Sequence, residues 1–290
     1  MEGPTPSPRK DAWEPDISHL LRQNAAMYDE ASDFQHHRSE INAVLAVLQG
    51  IGMPLRSDMV VLDLGAGQGM HAGLLSNVVG KVYCADIIDY SSLYNGEFLK
   101  LLKEKHERHG YAFPLAKIAF HQADAMSLHF RDAFFDAVIS INSFEHIPDP
   151  RKALWETIRT TRPGGLIFIS TDPIWTADTG SHFFHRVTEP WGHLVYSDDE
   201  FIARMKLSGA PESEIGEFKS AMNRWRAASY RTAFDDVVQR GLVKVAHQDS
   251  WSGVVDEVHR RSENLKRLKE RGFSEEELLI RGLRWVLVKR

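Results

Sequence analysis

A doubly wound α/β fold with a mainly parallel, seven-stranded sheet is what this chain predicts, on three observations. Short apolar runs alternate with stretches of helical period from Val60 to Thr171, the pattern of a parallel sheet flanked by helices. The first run, Val60-Val61-Leu62-Asp63-Leu64, carries an acid near its end and breaks into Gly65-Ala66-Gly67-Gln68-Gly69. Backbone at such glycines bends sharply and passes close to a ligand, and the helix that follows offers unpaired N–H groups. Two late apolar runs, Leu242 to His247 and Gly282 to Arg290, complete the strand count.

The elements follow in chain order. Residues 1 to 14 hold three prolines in their first eight positions and few apolar side chains, which reads as a disordered tail. Ile17–Met27 and Ser39–Leu48 read as helices in an N-terminal segment, 15–57, and Gly50-Ile51-Gly52 and Pro54 end the second. A core then runs from 58 to 172. After the glycine turn comes a helix, His71–Val79, and a second strand, Lys81–Asp86. That strand ends in a carboxylate near the offset of about 20 residues at which an acid grips ribose hydroxyls. Asp86 takes that role, with Asp89 as its neighbouring alternative and Ile87 as an apolar wall for a base. Ile118–Ala125 forms a third strand segment and Phe134–Ile141 a fourth. The fourth leads into Asn142-Ser143-Phe144-Glu145-His146-Ile147-Pro148-Asp149-Pro150, the helix Arg151–Thr161 and a fifth strand, Leu166–Thr171.

Spacing in the turn narrows the ligand. A dinucleotide fingerprint requires G-x-G-x-x-G, whereas Asp63-Leu64-Gly65-Ala66-Gly67-Gln68-Gly69 places the glycines at alternate positions. An acid just before the first glycine, with one residue between them, opposes a pyrophosphate and suits a positively charged ligand, such as one bearing the ammonium of an amino acid. These four stations, in this order, resemble the class I S-adenosylmethionine-dependent methyltransferases over residues 58 to about 172. The resemblance implies S-adenosylmethionine as cofactor and S-adenosylhomocysteine as product. It implies that Asp63, Gly65, Ala66, Gly67 and Gly69 form the cofactor turn, and that Asp86 and Ile87 hold the adenosine. It further implies that Asp124 accepts from the adenine amino group, with the Ala125 N–H serving the ring. Asn142 and Ser143 are candidates for the methionine end. An N-terminal helix often lies over the pocket in this family, so Tyr28 is either an aromatic lid beside the sulfonium or a helix-end ring covering apolar surface. The final strand is expected to run antiparallel, with Leu242–His247 as its partner.

Residues 173–240 exceed what one crossover helix needs and read as a substrate-binding insertion, with helices at Phe201–Met205 and Ile215–Tyr230. Its first part, from Trp175 to His193, is dense in His and aromatic residues, the makeup of a loop lining a cavity. His182, His185 and His193, together with His146 after the fourth strand, are candidates for a general base. The same histidines are alternatively polar-loop residues that only hydrogen-bond locally. No metal is expected among them, since structural zinc sites usually include cysteines and Cys84 lies in the second strand. Cys84 itself reads as a small buried hydrophobe. Residues 241–290 complete the core; there Val254, Val258, Leu265 and Leu268 mark an amphipathic helix with a solvated basic face.

Composition bounds the partners. The 290 residues are 43% hydrophobic and 26% charged, with a formal net charge of −5, an ordinary globular balance that disfavours a nucleic-acid surface. Neither a signal peptide nor a membrane-spanning run is read in the sequence, so a cytoplasmic protein is expected. Oligomeric state is not legible. The functional expectation is methyl transfer to a small molecule, at oxygen, because imidazoles crowd the insertion. The alternatives are a methyltransferase acting on protein or RNA and a non-catalytic cofactor-binding scaffold.

Overall fold

The computed structural model describes residues 29–253 and 262–290. The expected tail, the helix Ile17–Met27, Tyr28, and the Val254 and Val258 positions lie outside the described residues. Helix α1 spans Glu30–Gly50, longer at its start than Ser39–Leu48. The extension begins where the Asp29 carboxylate caps the Ala31 N–H. The helix ends as expected, with the Ile51 N–H returning to Val47 and Gly52 in the left-handed region.

Seven strands build one sheet: β1 (Val60–Leu64), β2 (Lys81–Asp86), β3 (Ile118–Gln122), β4 (Phe135–Ile141), β5 (Thr161–Thr171), β6 (Val243–Ser252) and β7 (Ile280–Lys289). Their order is β3-β2-β1-β4-β5-β7-β6. The first five pair in parallel, with Val61 opposite Val82 and Ala137. β7 inserts antiparallel between β5 and β6, as the resemblance implies. Chain order reverses at β1, whose neighbours are β2 and β4, so a crevice opens at their carboxyl ends.

Alternation along each strand feeds two cores. Val61, Ala137, Ile139 and Phe168 pack on one face beneath α1, α2 (Met70–Leu75) and α3 (Glu97–Arg108). Leu62, Val138, Ile167 and Trp285 pack on the other beneath α4 (Pro150–Thr160) and α8 (Ala227–Gln239). Burial on both faces is why these strands read as continuous apolar runs. Cys84 is buried in the first of these cores, and burial pushes its thiol pKa up.

Several boundaries differ from the sequence reading, each for a local reason. α2 stops at Leu75 instead of Val79 because Ser76 and Asn77 side chains both donate to the Gly73 carbonyl, competing with the helix. β3 stops at Gln122, where Asp124 accepts the Met126 N–H and turns the chain. β5 starts at Thr161, directly after α4. The insertion carries α5 (Gly192–Val195), α6 (Asp198–Leu207) and α7 (Glu212–Ser220), and its aromatic side chains form a core of their own around Phe201 and Phe218.

The expected helix Ile215–Tyr230 is two helices, α7 and α8. Between them the Asn223 side chain donates to the Phe144 and Ile147 carbonyls at 2.6 and 2.9 Å, and its N–H to the Glu145 carbonyl at 2.9 Å. The chain is thus pinned to the end of β4 and cannot continue as helix. Late in the chain, α9 (Glu263–Glu270) buries Leu265 and Leu268 against Trp191 of the insertion, and α10 (Glu275–Leu279) leads into β7. Among the described residues, no helix is long and apolar enough to cross a membrane.

Candidate functional site

The glycine turn sits at the crevice and is tied to β2. Gly65 and Ala66 donate to the Ala85 carbonyl at 2.8 and 3.2 Å. The Asp86 carboxylate accepts from Gly67 N–H at 2.8 Å and Ile88 N–H at 3.0 Å. Burial raises the Asp86 pKa, and these donated hydrogen bonds oppose the rise. Ile87 beside it is 64% exposed, an apolar surface available to cover a base. Asp89, the alternative acid, is engaged by the Ser91 backbone and hydroxyl in its own turn. Asp124 and Ala125 follow the end of β3, whose Ala123 N–H donates to the Asp86 carbonyl oxygen at 2.7 Å. The predicted adenosine residues therefore meet at one edge.

Gly65 has φ +72°, and a Cβ there would stand 2.4 Å from the Ser143 side chain. Gly67, also at positive φ, has nothing within 4 Å of its Cβ position, so the turn is open above it. Below the turn Asp63 is buried; one of its carboxylate oxygens has no hydrogen-bond partner. Burial pushes its pKa up to about 6, with nearby His71 opposing and Asp86 adding to the rise. An orphaned acid beneath an open, glycine-walled turn fits a ligand that carries positive charge, as S-adenosylmethionine does.

Asn142 stands at the end of β4 in the left-handed region, φ +49°. Its amide donates to Glu40 Oε1 of α1 at 2.8 Å. Glu40 also meets His71, just past the turn, at 2.8 Å. The sequence gives neither Glu40 nor His71 a role at the site; His71 is read there only as the start of a helix. The only sequence signal was the helical spacing of His36, His37 and Glu40.

The four candidate histidines separate. His146 and His182 come together, their rings perpendicular with centroids 4.9 Å apart. His146 Nδ1 lies 2.9 Å from the Ala221 carbonyl. A carbonyl only accepts, so Nδ1 carries the proton and Nε2 keeps the lone pair. The ring retains a solvent-exposed edge, while the protein crowding it lowers its pKa and Asp86 works in the opposite direction. His182 adopts φ +65° and lies 3.4 Å from the Pro173 carbonyl; burial pushes its pKa down to about 4. The other two do not join this pair. His193 is enclosed, donates to the Trp175 carbonyl at 2.7 Å and packs edge-on against that indole. Burial takes its pKa to about 4 as well. His185 is 58% exposed and turns outward to Glu214.

Glu145, beside His146, is fully buried and accepts from the Thr171 hydroxyl at 2.8 Å. Burial raises its pKa to about 8. Since the unfolded chain loses this proton near the ordinary value of 4.5, stability falls progressively as pH rises from there and levels off above about 8. Glu145→Gln, neutral at every pH, is expected to be more stable than the parent at pH 9 by a few kcal/mol and nearly equal at pH 5. Denaturant melts at both pH values check this, and an unchanged gap between them counts against the buried neutral acid.

Comparison with known proteins agrees with the fold. The sequence profile described as a methyltransferase domain matches residues 62–169. The ubiquinone/menaquinone biosynthesis C-methyltransferase UbiE of Pectobacterium carotovorum is 28% identical over 244 residues, covering 83% of this chain and 86% of that one. The 27-O-demethylrifamycin SV methyltransferase of Amycolatopsis mediterranei is 26% identical over 207 residues, 70% of this chain and 71% of its own. Among solved structures, phosphoethanolamine N-methyltransferase 2 of Haemonchus contortus, with S-adenosylhomocysteine bound, shares the fold. Its TM-score is 0.51 at 16% identity, over 86% of this chain and 52% of that one. With its strand order, its acid-glycine turn and these relatives, the chain belongs to the class I S-adenosylmethionine-dependent methyltransferases.

Proposed function

We propose that this enzyme methylates a small-molecule acceptor at oxygen, with His146 as the general base. One observation carries the reading: the Ala221 carbonyl holds the His146 proton on Nδ1, leaving Nε2 as a lone pair on a ring with an exposed edge at the mouth of the crevice. Crowding by the protein lowers the ring's pKa, which favours the neutral form a base requires.

The remaining assignments follow from where the chain places its polar groups. Asp86 holds the ribose hydroxyls, Ile87 covers the adenine, and Asp124 and the Ala125 N–H read its edge. Gly65, Ala66, Gly67 and Gly69 wrap the methionine end, with Asp63 supplying negative charge beneath and Asn142 a polar group at the β4 edge. The bound cofactor supplies a methyl carbon on a sulfonium, already activated for displacement. The protein then needs to bring the acceptor in line, keep water out and take one proton. His146 Nε2 takes the hydroxyl proton as the oxygen gains its methyl group. The aromatic core of the insertion, which includes Trp175 and Phe183, holds the loop that walls the acceptor side.

Two relatives support a small acceptor: one is named for ubiquinone and menaquinone biosynthesis, and another for methylating a demethylrifamycin. Incubation with methyl-labelled cofactor and cell extract tests the acceptor class. Label is expected in the small-molecule fraction; label confined to protein or RNA overturns the proposal. The cofactor assignment is tested by calorimetry. Asp86→Ala removes the ribose acceptor and strands the Gly67 N–H, so S-adenosylmethionine binding is expected to weaken about 10²-fold. Unchanged affinity in the folded variant would remove Asp86 from the site.

A further inference from the structure

Apart from His146 and His182, a second cluster of side chains converges on a single point. His37 and Glu40 lie three residues apart on α1 and so share a face. His71 lies at the start of α2, two residues past the last glycine of the turn. Three donor atoms, His37 Nδ1, His71 Nε2 and Glu40 Oε2, form a triangle with edges of 3.2, 3.3 and 2.8 Å. Ligand atoms on a tetrahedral zinc ion, with bonds of 2.0–2.1 Å, stand about 3.3–3.4 Å apart. The triangle is nearly one face of that tetrahedron.

Hydrogen bonding alone satisfies this arrangement poorly. The carboxylate oxygen only accepts, so each imidazole nitrogen facing it must carry a proton to bond it. With both protonated, the two nitrogens 3.2 Å apart present N–H to N–H and gain nothing from each other. One divalent cation takes all three lone pairs at once. An acid and an amide stand behind two of the three side chains, the kinds of group that orient metal ligands. His37 Nε2 faces Asp33 Oδ1 at 3.8 Å, and Asp33 is in turn held by Lys105 at 2.6 Å. The second oxygen of Glu40 accepts from Asn142 at 2.8 Å.

We propose that His37, Glu40 and His71 form a zinc site that clamps helix α1 onto the start of α2 beside the glycine turn. Two imidazoles and one carboxylate are a known zinc ligand set, and three protein ligands leave the fourth position to water. The site joins α1 to the first turn of α2, so binding fixes the helix that flanks the turn. This inference stands on side-chain geometry alone and does not depend on which acceptor is methylated.

Untagged, full-length protein freed of metal by a chelator and titrated with zinc chloride provides the test. One site is expected, with a Kd below about 1 μM, and His37→Ala, Glu40→Gln and His71→Ala are each expected to weaken it at least ~100-fold. His185→Ala, whose ring pairs instead with Glu214, is expected to leave it unchanged. Zinc is expected to raise the Tm of the parent by roughly 5 °C at saturation, and cobalt in place of zinc to give the intense visible absorption of a tetrahedral ion. Absence of wild-type binding tighter than about 10 μM overturns the proposal without recourse to any variant. So does tight binding that survives all three substitutions.

Discussion

His146→Ala is expected to lower kcat by about 10²–10⁴-fold, the usual contribution of a positioned general base, while the affinity for S-adenosylmethionine changes little. The loss falls on kcat because the ring contributes a proton acceptor and is not among the residues assigned to the cofactor. A pH profile separates this role from a structural one. Crowding by protein lowers the His146 pKa, so the parent kcat should rise with pH through a midpoint below the ordinary imidazole value of 6.5 and stay flat above it. The variant should lack that acid limb. His146→Gln keeps most of the side-chain volume and should behave like the alanine variant. A kcat within threefold of the parent in both variants would rule out His146 as the base. A larger loss in His182→Ala would move the role to its ring neighbour.

Gly65→Ala is expected to destabilise the fold by roughly 2–5 kcal/mol and to remove measurable cofactor binding. The backbone sits at φ +72°, where a Cβ costs about 1–2 kcal/mol. The added methyl also meets the Ser143 Cβ and Oγ at 2.4 Å, an overlap whose relief costs about 1–3 kcal/mol more. Relief also breaks the hydrogen bond from the Ser143 hydroxyl to the Gly65 carbonyl. Urea unfolding measures the loss, and Gly65→Ala combined with Ser143→Gly should recover the steric part and leave the backbone part. Gly67→Ala makes the contrast. Its Cβ meets no protein atom within 4 Å, so its stability loss should be only the ~1–2 kcal/mol of backbone strain. If the open space above Gly67 is where the cofactor lies, binding should still fall sharply. Equal losses of stability in the two single variants would show that the Ser143 contact does not constrain the turn.

The proposed cofactor end of the site could be assigned from sequence because each of its stations is contiguous. A strand, an acid and a turn of glycines depend on neighbours within a few residues, and Asp63 to Gly69, Asp86 and Asp124 all sit where a strand meets its loop. The proposed acceptor end could be given from sequence only as a list of residue types. His146, His182, His185 and His193 look alike on the page, and what separates them is long-range: a carbonyl at Ala221, the other imidazole, an indole at Trp175 and a carboxylate at Glu214. The expected helix Ile215–Tyr230 failed for the same reason. Its periodicity is sound, but Asn223 finds better partners on the turn after β4 than a helix would provide.

By itself, then, the order of residues determined the strand and helix alternation, the acid-glycine turn and the family, because these rest on hydrogen-bonding and steric preferences that act locally. The folded chain alone decided which histidine keeps a usable lone pair, where the long insertion helix breaks, and that His37 and Glu40 of one helix meet His71 of another. Those outcomes depend on packing between segments tens of residues apart. Local spacing carries no record of such meetings until the two faces of the sheet have been covered.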